Sequence, residues 1–260
     1  MPKMQESPHV ISRLRVGLGT FVAVDAEANS PVIAQRGIAA AFDAIATVER
    51  LMHPSRAGSE LAALNACPPG MPLTVHAWTW EVLELCRRVH ELSRGVFDPC
   101  LAAAAGRMQD LDLTQGQRVV PHAKLRIDLG GIAKGYAVDR AIDALRAAGC
   151  DGGLVNAGGD LAVFGIRHHQ VVCREPCGAG AALNLHDAAL ATSDAASESR
   201  PPEHRGYYHG ADRTVRVSGR ATVTAARAAV ADALTKCLLL GDCGSNQELL
   251  AAFGAKRIEY

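Results

Sequence analysis

The segment Ile127-Asp128-Leu129-Gly130-Gly131-Ile132-Ala133-Lys134-Gly135-Tyr136-Ala137-Val138-Asp139 constrains the fold more than any other part of the chain. An apolar stretch ends in paired glycines and passes at once into helical spacing, so residues 119–136 are expected to be strand, tight turn and helix start. Glycines at such a turn let a ligand approach the backbone closely. The helix N-terminus behind it offers unpaired N–H groups and the positive end of a dipole, which suits a phosphate. Lys134 adds a positive charge to the first turn. Asp128, just before the glycines, is placed to accept from a base, a ribose or a flavin N–H, or to bind a metal. A tight turn followed by a surface lysine accounts for the same residues. Two common nucleotide motifs are excluded, because GxGxxG is absent and Lys134 precedes its glycine rather than following one.

Around this turn the pattern mixes strands and helices without regular alternation, which favours an α+β fold over a doubly wound parallel sheet. Residues 1–12 read as a loose tail and 13–260 as one domain. Residues 15–25 suit a strand or hairpin, with Val16, Leu18, Phe21, Val22 and Val24. Ile38, Ala41, Phe42, Ile45, Val48 and Met52 recur at helical steps. A short helix is expected over 59–65, started by Gly58-Ser59. Another begins near Ala77 and is ended by Gly95. The helix after the glycine turn runs to Gly149, followed by a hairpin turning on Gly158-Gly159. Residues 166–220 read as short strands and loops, with an exposed connection at Pro201-Pro202. Residues 223–240 read as a long helix, and Ser245 with Glu248 as the capping box of a last one.

Composition excludes several classes of function. Lys plus Arg equals Asp plus Glu, at 27 each, so no global field draws the chain to nucleic acid or acidic membranes. No apolar run approaches the ~20 residues of a membrane span. The N-terminus lacks a signal-peptide core, so a cytoplasmic protein without membrane insertion is expected. The 8 cysteines are then expected to be reduced and mostly buried, and the Cys173/Cys177 spacing is not that of a CxxC pair.

Extended to Leu154-Val155-Asn156-Ala157-Gly158-Gly159-Asp160, the glycine segment closely resembles the ApbE-type family of FAD:protein FMN transferases. Other fragments fall in the family's order: Gly17-Leu18-Gly19-Thr20, Ser59-Glu60-Leu61 with Leu64-Asn65, Phe97-Asp98-Pro99, Ala191-Thr192-Ser193, and Ala231-Asp232-Ala233-Leu234. The resemblance covers nearly the whole chain and implies a single T-fold-related domain. It implies an enzyme that splits FAD with Mg²⁺, transfers FMN through its phosphate to a Ser or Thr hydroxyl of a target flavoprotein, and releases AMP. By the family pattern Asp128 and Lys134 contact the flavin nucleotide, Leu18, Phe97 and Asp98 line the FAD pocket, and Thr192 and Ser193 belong to the same cofactor site. Gly131, Asp232 and Thr235 fall at the metal, and His209, with Asp212 after it, stands where a general base would act on the acceptor.

The sequence departs from that pattern at the chemistry rather than at the scaffold. The family's metal helix reads Asp-Ala-x-x-Thr, whereas here Lys236 holds the final position and Thr235 sits one residue early. Residues four apart share a helix face, so the Lys236 ammonium is expected to pair with Asp232 or to fill the metal's space. His209-Gly210-Ala211-Asp212-Arg213-Thr214 lacks the family's Pro and final Gly, and Asp194 replaces the usual Gly after Ala191-Thr192-Ser193. A divergent branch is therefore expected, with FAD binding without transfer, or FAD hydrolysis to FMN and AMP, as alternatives. Ser218-Gly219-Arg220-Ala221-Thr222 resembles the family's acceptor sequence, but the inserted arginine breaks it, so self-modification is not expected.

Overall fold

The elements in chain order are β1 (His9–Gly17), β2 (Thr20–Ala28), α1 (Pro31–Met52), α2 (Glu60–Ala66), β3 (Leu73–Thr74), α3 (Ala77–Leu92), β4 (Leu111–Thr114), β5 (Arg118–Pro121) and α4 (Ala133–Ala147). There follow β6 (Gly152–Ala157), β7 (Asp160–Gly165), β8 (His169–Val172), β9 (Ala182–Leu185), β10 (Ala188–Asp194), β11 (Tyr207–His209), β12 (Thr214–Arg216), β13 (Arg220–Ala225), α5 (Ala228–Leu240), α6 (Cys243–Ala252) and β14 (Lys256–Ile258). The computed structural model describes residues 9–101, 103–173, 180, 182–195, 207–209, 214–217, 219–241 and 243–259. Cys177, Pro201-Pro202, Asp212 and Ser218 lie outside them. The mixed helices and antiparallel strands confirm the α+β class.

Seven strands form one sheet in the order β1-β2-β6-β7-β10-β13-β14, and every adjacent pair is antiparallel. Helices α1, α4 and α5 cover one face. There Val22, Val24, Val155, Ala157 and Val223 meet Ile38, Ile45, Ala137, Ala141 and Leu234 in the main core. Period-2 alternation sends the intervening residues to the other face. On that side the β8–β9 hairpin packs through Val171, Cys173 and Leu185 over Leu161, Val163 and Leu190. It covers only part of the sheet, and the uncovered part becomes the wall of a cleft.

Two departures from expectation have clear causes. β1 begins at His9, so residues 9–12 pair with 25–28 instead of trailing as tail. As an edge strand it leaves Val10, Leu14 and Val16 exposed, so no half-buried alternation marks it. The stretch 223–240 is not one helix. Val223–Ala225 complete β13, a strand paired on both sides, before α5 starts at Ala228. Only Arg227 interrupts the apolar run between the strand and the helix, and the short apolar stretch before it cannot be told from helix by periodicity alone. α6 begins at Cys243, which puts Ser245 inside the helix rather than at its cap. Among the described residues no helix is long and apolar enough to cross a membrane.

Candidate active-site cleft

The turn at 128–131 is organised before any ligand arrives. Asp128 Oδ1 accepts from the Gly130 N–H at 2.7 Å, and the N–H of Asp128 donates to the Pro99 carbonyl at 2.9 Å, tying the turn to the 97–100 loop. The Ile132 and Ala133 amides donate to the Leu129 carbonyl at 3.0 and 2.8 Å. The Gly135 amide donates to Asp232 Oδ2, 3.2 Å away on α5. The helix N-terminus is thus less open to a phosphate than its sequence suggests, because these amides already have acceptors inside the protein.

Gly135 marks where α4 crosses α5. A Cβ there would lie 2.3 Å from the Ala228 carbonyl oxygen and 2.8 Å from Ala229 Cα, so only glycine lets the helices approach this closely. The two helices cap one another at this crossing. Neither has a side-chain cap of its own, at Ile132 or at Arg227. Asp232 of α5 accepts from the first turn of α4. Asp139 of α4 accepts from the Ala228 and Ala229 amides of α5 at 2.7 and 3.0 Å. Both carboxylates thereby satisfy helix N-termini, where negative charge is favoured.

Beside this crossing lies a cleft of about 1180 Å³. Such a space exceeds the ~300–1,000 Å³ typical of drug-sized ligands and has room for a dinucleotide. Its walls come from the 96–101 loop, the glycine turn, the β6–β7 hairpin, β8, β10 and the tip of β2. Gly158 and Gly159 close that hairpin with φ of 65° and 105°, the left-handed conformation a two-residue turn demands, and both line the cleft.

At the cleft floor sit four charged groups in two layers. Lys134 and Lys236 line the cleft, with 35% and 11% of their side chains exposed. Behind them lie Asp160, 3% exposed, and Asp232, fully buried at 0%. Lys134 Nζ donates to Asp160 Oδ2 at 2.5 Å and stands 4.0 Å from Asp232 Oδ2. Lys236 Nζ donates to Asp232 Oδ1, one helical turn earlier. Its stem runs beside the glycine turn, with Cε 3.7 Å from where a Cβ of Gly131 would be. Burial raises the cost of ionising Asp232. The two ammonium groups and the hydrogen bonds from Lys236 and Gly135 outweigh it and hold this carboxyl below its ordinary range. Asp160 goes the other way, pushed up by burial and by the charge of Asp232, with Lys134 offsetting only part of the rise.

The structure brings Phe97, Asp98, Asp128, Gly131, Lys134, Thr192 and Ser193 together as cleft lining. The Asp98 carboxylate itself turns to the backbone, accepting from the Cys100 N–H at 2.8 Å and the Met108 N–H at 3.4 Å. Thr192 shares a hydroxyl contact with Thr222 at 2.9 Å, and Ser193 one with Thr235 at 2.7 Å. Leu18 is not brought to the cleft. It occupies the β1–β2 turn with φ +54° and packs on the core, while its neighbours Thr20 and Phe21 line the cleft. His209 lies on β11, its backbone paired with Thr214. Asn156, not singled out from the sequence as a site residue, also lines the cleft, and its Oδ1 accepts from the Gly159 N–H at 3.0 Å.

Of the residues that the resemblance implies at a metal, Asp232 and Thr235 already have partners within the protein. Asp232 offers Oδ1 to an ammonium and Oδ2 to an amide. The Thr235 hydroxyl donates to the Asp232 carbonyl at 2.6 Å and faces Ser193. Mg²⁺ asks for near-octahedral oxygen ligands and several waters, and a cation placed at Asp232 would compete with the Lys236 ammonium for Oδ1. Among the described residues no group of three or more His, Cys, Asp or Glu side chains gathers as a ligand set.

Comparison with known proteins agrees with the fold and shows the family. The model of the ApbE family matches residues 18–256. A protein of Treponema pallidum named FAD:protein FMN transferase is 26% identical over 284 aligned positions, covering 88% of this chain and 78% of that protein. One of the same name from Rhodobacter capsulatus is 30% identical over 151 positions, 46% of this chain and 29% of that protein. The solved flavin transferase ApbE of Vibrio cholerae superposes with a TM-score of 0.80 at 20% identity, covering 96% of this chain and 93% of that one. The apo flavinyl transferase ApbE of Pseudomonas stutzeri gives 0.78 at 19% identity, covering 99% and 92%.

Proposed function

The chain belongs to the ApbE family, and we propose that it binds FAD in this cleft and passes the FMN moiety to a Ser or Thr hydroxyl of an acceptor flavoprotein, releasing AMP. The observation that carries the reading is the pairing of the glycine turn with two lysines on the floor of a dinucleotide-sized cleft. Phosphoryl transfer asks a protein mainly for positioning and charge neutralisation, and these groups supply both.

In the proposed reaction the acceptor oxygen bonds to the FMN phosphorus. The anhydride P–O bond breaks, its electron pair leaves on AMP, and the hydroxyl proton passes to a base. His209 is the candidate base, since imidazole titrates near neutrality. Asp128 and Lys134 hold the nucleotide, with Phe97, Thr192 and Ser193 shaping the walls and Asp98 fixing the 97–100 loop. Gly131, Asp232 and Thr235 stand at the family's metal position. Because Lys236 already engages Asp232, no step is assigned to Mg²⁺. The same engagement favours a second reading, a cleft that holds FAD without transferring FMN.

The test mixes purified protein with FAD and a Ser/Thr-containing domain of a candidate flavoprotein, with and without Mg²⁺. AMP release with flavin bound covalently to the acceptor is the expected result. AMP with free FMN would identify a pyrophosphatase. FAD binding without any AMP would leave the binding reading standing and remove both catalytic ones.

A further inference from the structure

The four-charge floor points to a specific departure in how this cleft handles phosphate. We propose that the Lys236 ammonium holds the place of the divalent cation, so that the cleft binds the diphosphate of its nucleotide without metal. The inference rests on the reading of the cleft as an FAD site, but its cation half stands on the contacts around Lys236 and Asp232, whatever the ligand.

Three observations carry it. First, the layering is polar in one sense. Both ammonium groups line the cleft, while Asp232 and Asp160, 0% and 3% exposed, lie behind them. At its floor a ligand meets the positive ends of two ion pairs, to which an anionic diphosphate is complementary, while Asp98, Asp128 and Asp194 also line the cleft. Second, the groups that would otherwise hold a cation are taken. Asp232 accepts from Lys236 and Gly135, and the Thr235 hydroxyl is bonded to the Asp232 carbonyl and to Ser193. A dication entering beside Asp232 would have to displace an ammonium whose stem is packed along Gly131. Third, the Gly130, Ile132, Ala133 and Gly135 amides already donate inside the protein. The positive charge at the turn therefore comes chiefly from side chains. An ammonium has three donor protons and no open coordination site. It pairs with Asp232 and keeps donors for a phosphate oxygen, but it does not activate water as a metal would.

Two measurements on the full chain test this. Mn²⁺ is titrated into nucleotide-free protein and followed by EPR. FAD affinity is measured by fluorescence in EDTA and in millimolar Mg²⁺. The wild-type protein is expected to show no saturable Mn²⁺ site and FAD dissociation constants equal within about twofold in the two buffers. Lys236→Thr, which restores a hydroxyl beside Asp232, is expected to gain a Mn²⁺ site and to bind FAD at least tenfold more tightly with Mg²⁺ than with EDTA. A saturable Mn²⁺ site in the wild type that Asp232→Asn abolishes would overturn the proposal. So would a tenfold gain in wild-type FAD affinity from Mg²⁺. Failure of FAD to bind in either buffer would instead sink the FAD reading, and the wild-type Mn²⁺ titration, which needs no variant to fold, would then decide the role of Lys236.

Discussion

At the scale of single residues, Asp232 has two functions. It accepts from the first turn of α4 and it anchors Lys236 at the cleft floor. Removing one member of a buried ion pair strands the other, which costs about 3–5 kcal/mol. Asp232→Asn is therefore expected to lower unfolding stability by that order in urea titrations at neutral pH. The pH dependence has a definite sign. The folded carboxyl lies below its ordinary value, so its stabilisation is complete above the unfolded pKa of about 4. It is lost as pH falls through the lower, folded value. The gap between wild type and variant should close on acidification below pH ~4 and stay constant above it. A gap that widened on acidification would contradict this assignment.

At the scale of elements, the crossing of α4 and α5 makes Gly135 decisive. Helix propensity alone favours alanine over glycine by up to ~1 kcal/mol. A Cβ 2.3 Å from the Ala228 carbonyl oxygen meets backbone that cannot rotate away, and overpacking of this kind costs about 1–3 kcal/mol or more. Gly135→Ala should therefore destabilise, seen as a lower melting temperature, where propensity predicts the reverse. This crossing also marks the limit of what the sequence disclosed. Helices with their own stripes and stops were legible: α1 from its apolar spacing, α2 from Ser59, α3 from its stripe and Gly95, and the β6–β7 hairpin from its two glycines. The caps of α4 and α5 were not, because rules for N-caps look to the preceding residue, and here each cap comes from the other helix. Lys236 could be suspected from its spacing to Asp232. The layering of two lysines over two aspartates could not, since Asp160 and Lys134 lie 26 residues apart and meet only through the sheet.

At the scale of the whole molecule, one sheet separates a main core under α1, α4 and α5 from a smaller one under β8 and β9, and the cleft opens where the second cover stops. The main core is continuous, and it takes up several cysteines. Cys86, Cys100 and Cys237 are buried, whereas Cys67 is partly exposed. Burial pushes the Cys237 thiol up to about 12 and those of Cys86 and Cys100 higher still. Iodoacetamide under native conditions, read by peptide mass spectrometry, should label Cys67 well before these three, which should react only on unfolding. Early labelling of Cys86 would mean that the core opens locally beneath α3. The reciprocal capping has a further consequence, for motion. Parting α4 from α5 frees the Gly135 amide of one helix and the Ala228 and Ala229 amides of the other at once. In amide hydrogen exchange these amides of the two helix starts should behave as one opening unit.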